Sequence, residues 1–160
     1  MSIINTSMIF AFALTLHILS TVIWVGGMFF AHMALRPVIA TLLEPPLRLS
    51  LMSQVLSRFF PWVWLSVVLV WATGFWMIFG KFGGMASVGI YVHIMLTIAL
   101  VMTIIYIYIF FIPFPSLQKN VADKNFPEAG KSLASIRQLI GINLWLGLIV
   151  IIVATAGRFF

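Results

Sequence analysis

Cysteine is missing from this sequence of 160 residues, and acidic side chains are nearly missing, with three Asp and Glu in total. Without cysteine there are no disulfides, no thiolate metal ligands and no thiol redox chemistry. Only 8% of the residues are charged, against roughly 25% in soluble domains, whereas 63% are hydrophobic and the mean hydropathy is +1.19. This composition excludes an ordinary soluble domain and predicts a single integral membrane domain over residues 1–160.

The few charges also limit the function. Glu44, Asp123 and Glu128 all lie in predicted loops, so no set of nucleophile, base and acid is available for hydrolysis. The net charge is +6, but the basic residues lie between apolar runs. Membrane orientation explains that pattern better than nucleic acid binding, and we expect the lipid bilayer, not a nucleic acid, as partner.

Four uncharged runs are each long enough for a helix to cross the hydrocarbon core, which takes about 20 residues. Trimmed at their polar flanks, they predict spans near 8–34, 61–79, 88–111 and 138–157. Because the connections between them are short, we expect an all-α fold, an antiparallel four-helix bundle.

Lysine and arginine predict the orientation of the bundle. The two loops on one side contain seven of these residues, and the other side has only Lys81 and Arg158. The positive-inside rule then puts both long loops in the cytoplasm and both termini on the periplasmic side of a bacterial inner membrane. Residues 47–58, in the first cytoplasmic loop, place apolar side chains on one face and predict a short interfacial helix.

Histidines within apolar spans are costly, which marks them as candidate functional sites. His17 and His93 fall on predicted parallel helices, about 13 Å and about 8 Å from the outer end, so we expect them near one level. His32 falls at the cytoplasmic interface. Two histidines at one level suit haem b, with each imidazole as an axial iron ligand. The alternative is that they only hydrogen-bond across the bundle.

Four further residues complete this candidate cofactor site. Trp24 and Met28 follow His17 along its helix face, and Gly27 removes bulk where a helix or a porphyrin edge can approach. Asn143 is an amide in the fourth span and needs a polar partner from another helix.

Copper is the competing cofactor. Nine methionines without any cysteine suit thioether coordination of Cu(I). The methionines are scattered, however, and in membrane helices they usually serve packing. If copper is bound, Met95 and His32 are additional candidate ligands.

Several segments together resemble CopD-type membrane proteins, a family associated with copper resistance. They are Leu16-His17, Trp24-Val25-Gly26-Gly27-Met28-Phe29, Leu35-Arg36-Pro37, Leu43-Glu44-Pro45-Pro46, Arg58-Phe59-Phe60-Pro61-Trp62, Tyr91-Val92-His93, Ile136-Arg137 and Asn143-Leu144-Trp145-Leu146-Gly147. The first and third helices also resemble HemJ-type membrane protoporphyrinogen oxidases, in which two histidines match His17 and His93. That family has a lysine where this chain has Met95, so the resemblance implies haem ligation more than protoporphyrinogen oxidation.

The sequence therefore predicts a haem b protein of the inner membrane, ligated by His17 and His93. It would act in electron transfer or a haem-linked oxidation, with a quinone, a porphyrin or an oxygen species as substrate, and as an enzyme it would be an oxidoreductase. Copper transport or tolerance is the alternative, and a structural or assembly subunit is a third. The apolar helix surfaces also allow a homo-oligomer.

Overall fold

The computed structural model describes residues 3–159, and this part of the chain is entirely helical with short connections. The side chain of the predicted outer cation Arg158 lies outside the described part. We number five helices in chain order. Helix α1 consists of five consecutive segments: Ile3–Thr21, Val22–Gly26, Gly27–Phe29, Phe30–Leu35 and Arg36–Leu42. Helix α2 covers Pro45–Trp76 and Met77–Lys81, and the last three helices are α3 over Ile90–Phe111, α4 over Pro113–Ala122 and α5 over Phe126–Ala156.

Helix α1 changes its winding twice without ending. The segments Val22–Gly26 and Phe30–Leu35 are π-helical, and the short α-helical segment Gly27–Phe29 lies between them. The first span was predicted to end near residue 34, before Pro37, but the helix continues through this proline to Leu42. A π turn ends just before Arg36, so the ladder of backbone hydrogen bonds is already rearranged where the proline lacks its N–H.

Helix α2 joins two predicted segments into one. It begins at Pro45, runs through Pro61 and continues to Trp76, with a π-helical extension over Met77–Lys81. Residues 47–58 are thus the first part of the second long helix, and their location at the membrane surface stays a prediction. The turn that follows contains Gly83 and Gly84 with φ of 81° and 117°, values that favour glycine.

Helices α3, α4 and α5 complete the bundle. Pro113 starts α4 directly after α3 ends, and α5 begins after Asn125 with a proline in its first turn. Helix α5 thus begins twelve residues before the predicted fourth span at 138–157 and continues through it to Ala156. In packing, α1 lies along α2 and α3 lies along α5, while α4 contacts α5 and α2.

Four helical stretches are long and apolar enough to cross a membrane: Thr6–Leu42, Pro45–Lys81, Ile90–Ala122 and Phe126–Ala156. Large apolar side chains point outward along all of them, where lipid rather than water suits them. The predicted fold class, an all-α bundle with four membrane-spanning helices, is confirmed. Each stretch is longer than the predicted span, because a helix does not have to end where its first charged residue appears.

An aromatic cluster between α2, α3 and α4 fixes the register of the bundle. Phe60, Trp64, Tyr106, Phe110 and Phe114 meet in edge-to-face or tilted pairs, with ring centroids 4.7–6.2 Å apart. The Tyr106 hydroxyl donates a hydrogen bond of 2.9 Å to the Phe60 carbonyl. The ring of Trp24 contacts Tyr106 as well, at 6.3 Å between centroids, which joins α1 to this cluster.

Candidate functional site

His17 lies at the interface between α1 and α2. Its Nδ1 atom is 2.9 Å from Oγ1 of Thr73, a residue that is itself buried. The next residue on α2 is Gly74, and a Cβ added there would lie 3.4 Å from Cε1 of the imidazole. The His17 imidazole therefore packs against a hydrogen-bonding side chain, Thr73, and against Gly74, which has no side chain.

The hydrogen bonds of Thr73 assign the proton on His17. The Thr73 hydroxyl donates its single hydrogen to the Leu69 carbonyl, at 2.5 Å, so its oxygen acts as acceptor toward the imidazole. In a neutral imidazole the proton is then on Nδ1, and Nε2 keeps its lone pair. Histidines that bind metals are commonly held in this way, through the nitrogen that does not bind the metal.

His93 is held within its own helix. Its Nδ1 atom donates to the Gly89 carbonyl of the preceding turn, at 3.3 Å, and the residue is partly exposed. A carbonyl can only accept, so Nε2 again keeps the lone pair when the ring is neutral. Both predicted ligands thus present Nε2, but neither hydrogen bond joins one histidine to the other.

Two contacts relate the depth of His17 on α1 to that of His93 on α3. The Trp24 and Tyr106 rings meet with centroids 6.3 Å apart, seven residues after His17 and thirteen after His93. A Cβ at Gly147 of α5 would lie 2.8 Å from the Val25 side chain and 3.2 Å from Met102 Cε, eight residues after His17 and nine after His93. The first contact implies an offset of about 9 Å and the second an offset of about 2 Å, so the expected common level stays a prediction. The helices themselves start at Ile3 and Ile90, where residues 8 and 88 were predicted.

The other predicted cofactor residues meet around a small internal cavity. Trp24, Met28 and Asn143 line a space of about 10 Å³, closed by rings that include Phe59 and Phe60. A Cβ at Gly27 would collide with the Phe59 ring, so only glycine lets α1 come this close to α2. Met28 lies between the two π turns of α1, a distortion that occurs frequently at functional sites.

Asn143 is the polar centre of this region. Its side chain is 1% exposed, and Nδ2 donates a hydrogen bond of 3.2 Å to the Met102 carbonyl of α3. The predicted interhelical partner is thus a backbone carbonyl. The other amide atom, Oδ1, is buried without a partner. Buried polar atoms in native proteins are nearly always paired, so this oxygen marks a position where a water or a bound group would be stabilised.

The methionines divide into two groups. Met28 and Met102 are both 3% exposed and belong to the buried core, whereas Met33 is 50% exposed. Met95, the alternative copper ligand, is partly exposed on α3. Met102 Cε would lie 3.2 Å from a Cβ at Gly147, a point that the Val25 side chain of α1 also approaches, one turn before Met28.

His32 lies in a second, larger cavity at the other end of α1. This cavity has a volume of about 200 Å³, and its charged lining consists of Arg36, Arg48 and Arg137. Three positive charges around His32 oppose the binding of a metal cation, so the structure gives no support to His32 as a copper ligand. Among residues 3–159, no group of three or more His, Asp or Glu side chains could hold a metal ion.

Two features of these sites are not visible in the sequence. Thr73 is an ordinary threonine in an apolar run, and only the packing of α1 on α2 shows that it holds His17. The three arginines are far apart in the sequence and each fits a separate role as an interface anchor. A basic residue in each of three separate segments was the available signal, and it did not show that these side chains converge.

Comparison with known proteins identifies the family. The family model described as CopD, copper resistance protein D, matches residues 53–156, which is more than half of the chain. The chain therefore belongs to the CopD family, and with its four apolar spans it is a multi-pass membrane protein. Thr73, His93, Met102 and Asn143 lie inside the matched region, and His17 and Met28 precede it. No curated protein and no solved structure matches the chain.

Proposed function

We propose that this CopD-family protein handles copper in a bacterial inner membrane, in copper transport or tolerance. The observation that carries the proposal is the family match over residues 53–156, since that family is described by copper resistance. The buried donors of the bundle support it. Met28 and Met102 offer thioethers, and His17 offers an imidazole nitrogen, which are ligands that suit Cu(I).

The positions of these donors favour successive contacts with copper over one closed chelate. His17 lies about 16 Å before Met28 along α1. Met102 Cε would lie 3.2 Å from a Cβ at Gly147, a point that the Val25 side chain also approaches, and Val25 is one turn before Met28. We infer that copper would contact His17 first and the Met102 and Met28 thioethers later, with the Asn143 oxygen as a polar position beside Met28.

A haem protein is the second candidate, favoured by the way His17 is held. An imidazole fixed through Nδ1 with Nε2 available is suited to haem iron as well as to copper. The donor chemistry of His17 and His93 fits haem b, with Nε2 of each ring as the axial ligand. If haem is bound, the proposed activity is electron transfer to a quinone, a porphyrin or an oxygen species. A homo-oligomer is part of the same proposal.

Copper binding by the purified protein tests the first candidate. The protein is extracted in detergent, reduced under anaerobic conditions and titrated with Cu(I) against a chromophoric competitor. We expect binding by the wild type, at least tenfold weaker binding by Met28→Leu and Met102→Leu, and no change in Met33→Leu. Met33 is on the same helix as Met28 but faces outward, so it controls for the loss of one thioether.

Two results would contradict the copper proposal. One is a wild type that binds no more Cu(I) than the double variant Met28→Leu/Met102→Leu, and the other is an equal loss in Met33→Leu. An absorption spectrum of the same preparation tests the haem candidate. A Soret band that disappears in His17→Ala and in His93→Ala would favour haem over copper.

A further inference from the structure

The cavity around His32 gathers positive charge from three separate helices. Arg36 lies near the end of α1, Arg48 near the start of α2 and Arg137 in the first half of α5. The positive charges of Arg36 and Arg137 repel each other, and each repels a protonated His32. The cavity therefore concentrates like charges at the point where three helices meet.

No acidic side chain compensates these charges. Within the described residues, the one ion pair joins Lys131 to Glu128 in the first turns of α5, and it involves none of the three arginines. Glu44 is the acidic residue nearest to Arg48 in sequence, but it is exposed and is not part of the cavity lining. Like charges held together without a counterion are unfavourable, and an anion bound between them would remove that cost.

The ring of His32 packs against α5 at Gly141. A Cβ added at Gly141 would lie 3.2 Å from Cε1 of the imidazole, so the glycine provides the space in which the ring lies. The ring is thus pressed against the backbone of α5, one turn away from Arg137. An imidazole and a guanidinium on neighbouring helices can donate hydrogen bonds to the same anion from two sides.

The remaining walls of the cavity are apolar. They include four buried side chains, Leu49, Met52, Leu56 and Ile136, together with the partly buried Ile140. A site with guanidinium groups beside apolar walls suits an anion attached to a hydrophobic body. Arginine binds phosphate and carboxylate groups through pairs of parallel hydrogen bonds, and of these two, phosphate is the group found in anionic lipid headgroups that bind between membrane helices.

We propose that this cavity is a binding site for a phosphate group, held by Arg36, Arg48, Arg137 and His32 at the junction of α1, α2 and α5. Two sources supply that chemistry: the headgroup of an anionic phospholipid and a soluble phosphate compound. Basic pockets between membrane helices commonly bind anionic lipid headgroups. The site is independent of the copper proposal, because it uses none of the same residues.

Thermal unfolding of the purified protein in a neutral detergent, followed by tryptophan fluorescence, tests the site. Phosphatidylglycerol, phosphatidylcholine, sodium phosphate and sodium chloride at equal ionic strength are added separately. We expect phosphatidylglycerol or phosphate to raise the unfolding midpoint by about 5 °C, because a ligand of the folded state stabilises it. Phosphatidylcholine and chloride should have no such effect. A response to phosphatidylglycerol alone identifies a lipid, and a response to phosphate alone identifies a soluble ligand.

Arginine variants connect the effect to the cavity. Arg36→Gln, Arg48→Gln and Arg137→Gln should each weaken the binding of the effective ligand about tenfold, as expected for a lost charged hydrogen bond. Arg58→Gln is the matched control, because Arg58 is an exposed arginine on α2 outside the cavity. Its binding should stay within about twofold of the wild type, as expected for a surface substitution that removes no direct contact.

The same variants also exclude a trivial folding defect. Without ligand, a cavity variant should unfold at the wild-type temperature or above it, because one repelling charge has been removed. With ligand, it should unfold below the wild type. The proposal is overturned if neither phosphatidylglycerol nor phosphate stabilises the wild type, if Arg58→Gln loses as much binding as the cavity variants, or if the cavity variants are already less stable without ligand.

Discussion

The interior around Asn143 and the cavity around His32 lie on the same helices and differ in almost every physical property. The interior holds thioethers, aromatic rings and one amide in a space of about 10 Å³. The cavity holds three guanidinium groups and an imidazole around about 200 Å³. Met28 and His32 are one helical turn apart on α1, so a single turn separates a neutral environment from a strongly positive one.

This difference assigns opposite ligands to the two regions. Soft, uncharged donors suit Cu(I), and an unpaired amide oxygen adds a weak acceptor beside them. The arginine cavity repels any metal cation and attracts an anion. We therefore expect copper to reach the interior from the His17 end of the bundle, and an anion to occupy the opposite end.

The largest expected effect comes from placing the same negative charge in each region. Asn143→Asp puts a carboxylate where the amide is 1% exposed and removes the hydrogen bond to the Met102 carbonyl. We expect it to lower the free energy of unfolding by about 3–5 kcal/mol, as for an uncompensated buried charge. Ala134→Asp puts the charge among the arginines and should be neutral or stabilising. Unfolding in mixed detergent micelles measures both.

Asn143→Leu is the control for this pair. It removes the unpaired oxygen and the donor together without adding charge, so the loss should be about 1 kcal/mol or less. Equal destabilisation by Asn143→Asp and Ala134→Asp would contradict the electrostatic contrast between the two regions. A reduced response of Ala134→Asp to the anionic ligand would strengthen it, because the new carboxylate occupies the position of the anion.

Adjacent glycines test how tightly the interior is packed. A Cβ at Gly27 collides with the Phe59 ring, whereas a Cβ at Gly26 has no atom within 4 Å. Gly27→Ala should therefore lower the free energy of unfolding by about 1–3 kcal/mol through overpacking. Gly26→Ala should be neutral or should stabilise by up to about 1 kcal/mol, since alanine favours helix. If both variants behave alike, the close approach of α1 to α2 at Gly27 is not a packing constraint.

The sequence predicted the fold better than the site, for physical reasons. A span is a local property, so the long uncharged runs were sufficient to find all four. Helix ends were missed at Pro37 and before residue 61, because a π turn and a proline inside a helix can be accommodated once the neighbouring packing is known. A depth counted from a predicted helix end carries the error of that end, so the common level of His17 and His93 stays a prediction.

Contacts between helices could not be predicted either, because they also depend on packing that the sequence does not show. The need of Asn143 for a partner follows from its chemistry, but the choice of the Met102 carbonyl depends on the register of α3 against α5. The arginines were interpreted one by one as markers of orientation. Their convergence on His32 requires three helix ends to meet, which no local pattern encodes.

The smallest expected effect concerns the hydroxyl that holds His17. Thr73→Val keeps the shape of the side chain but removes the acceptor for the Nδ1 proton, so the free energy of unfolding should fall by about 1 kcal/mol. The effect on copper should be larger, about 10–100-fold weaker binding, if His17 is a ligand positioned by Thr73. Thr15→Val is the matched control, because Thr15 is exposed on α1 and donates only to its own helix, at the Ala11 carbonyl. A Thr73→Val protein with reduced stability and unchanged Cu(I) affinity would show that the hydrogen bond only packs α1 against α2, and it would leave Met28 and Met102 as the copper donors of the bundle.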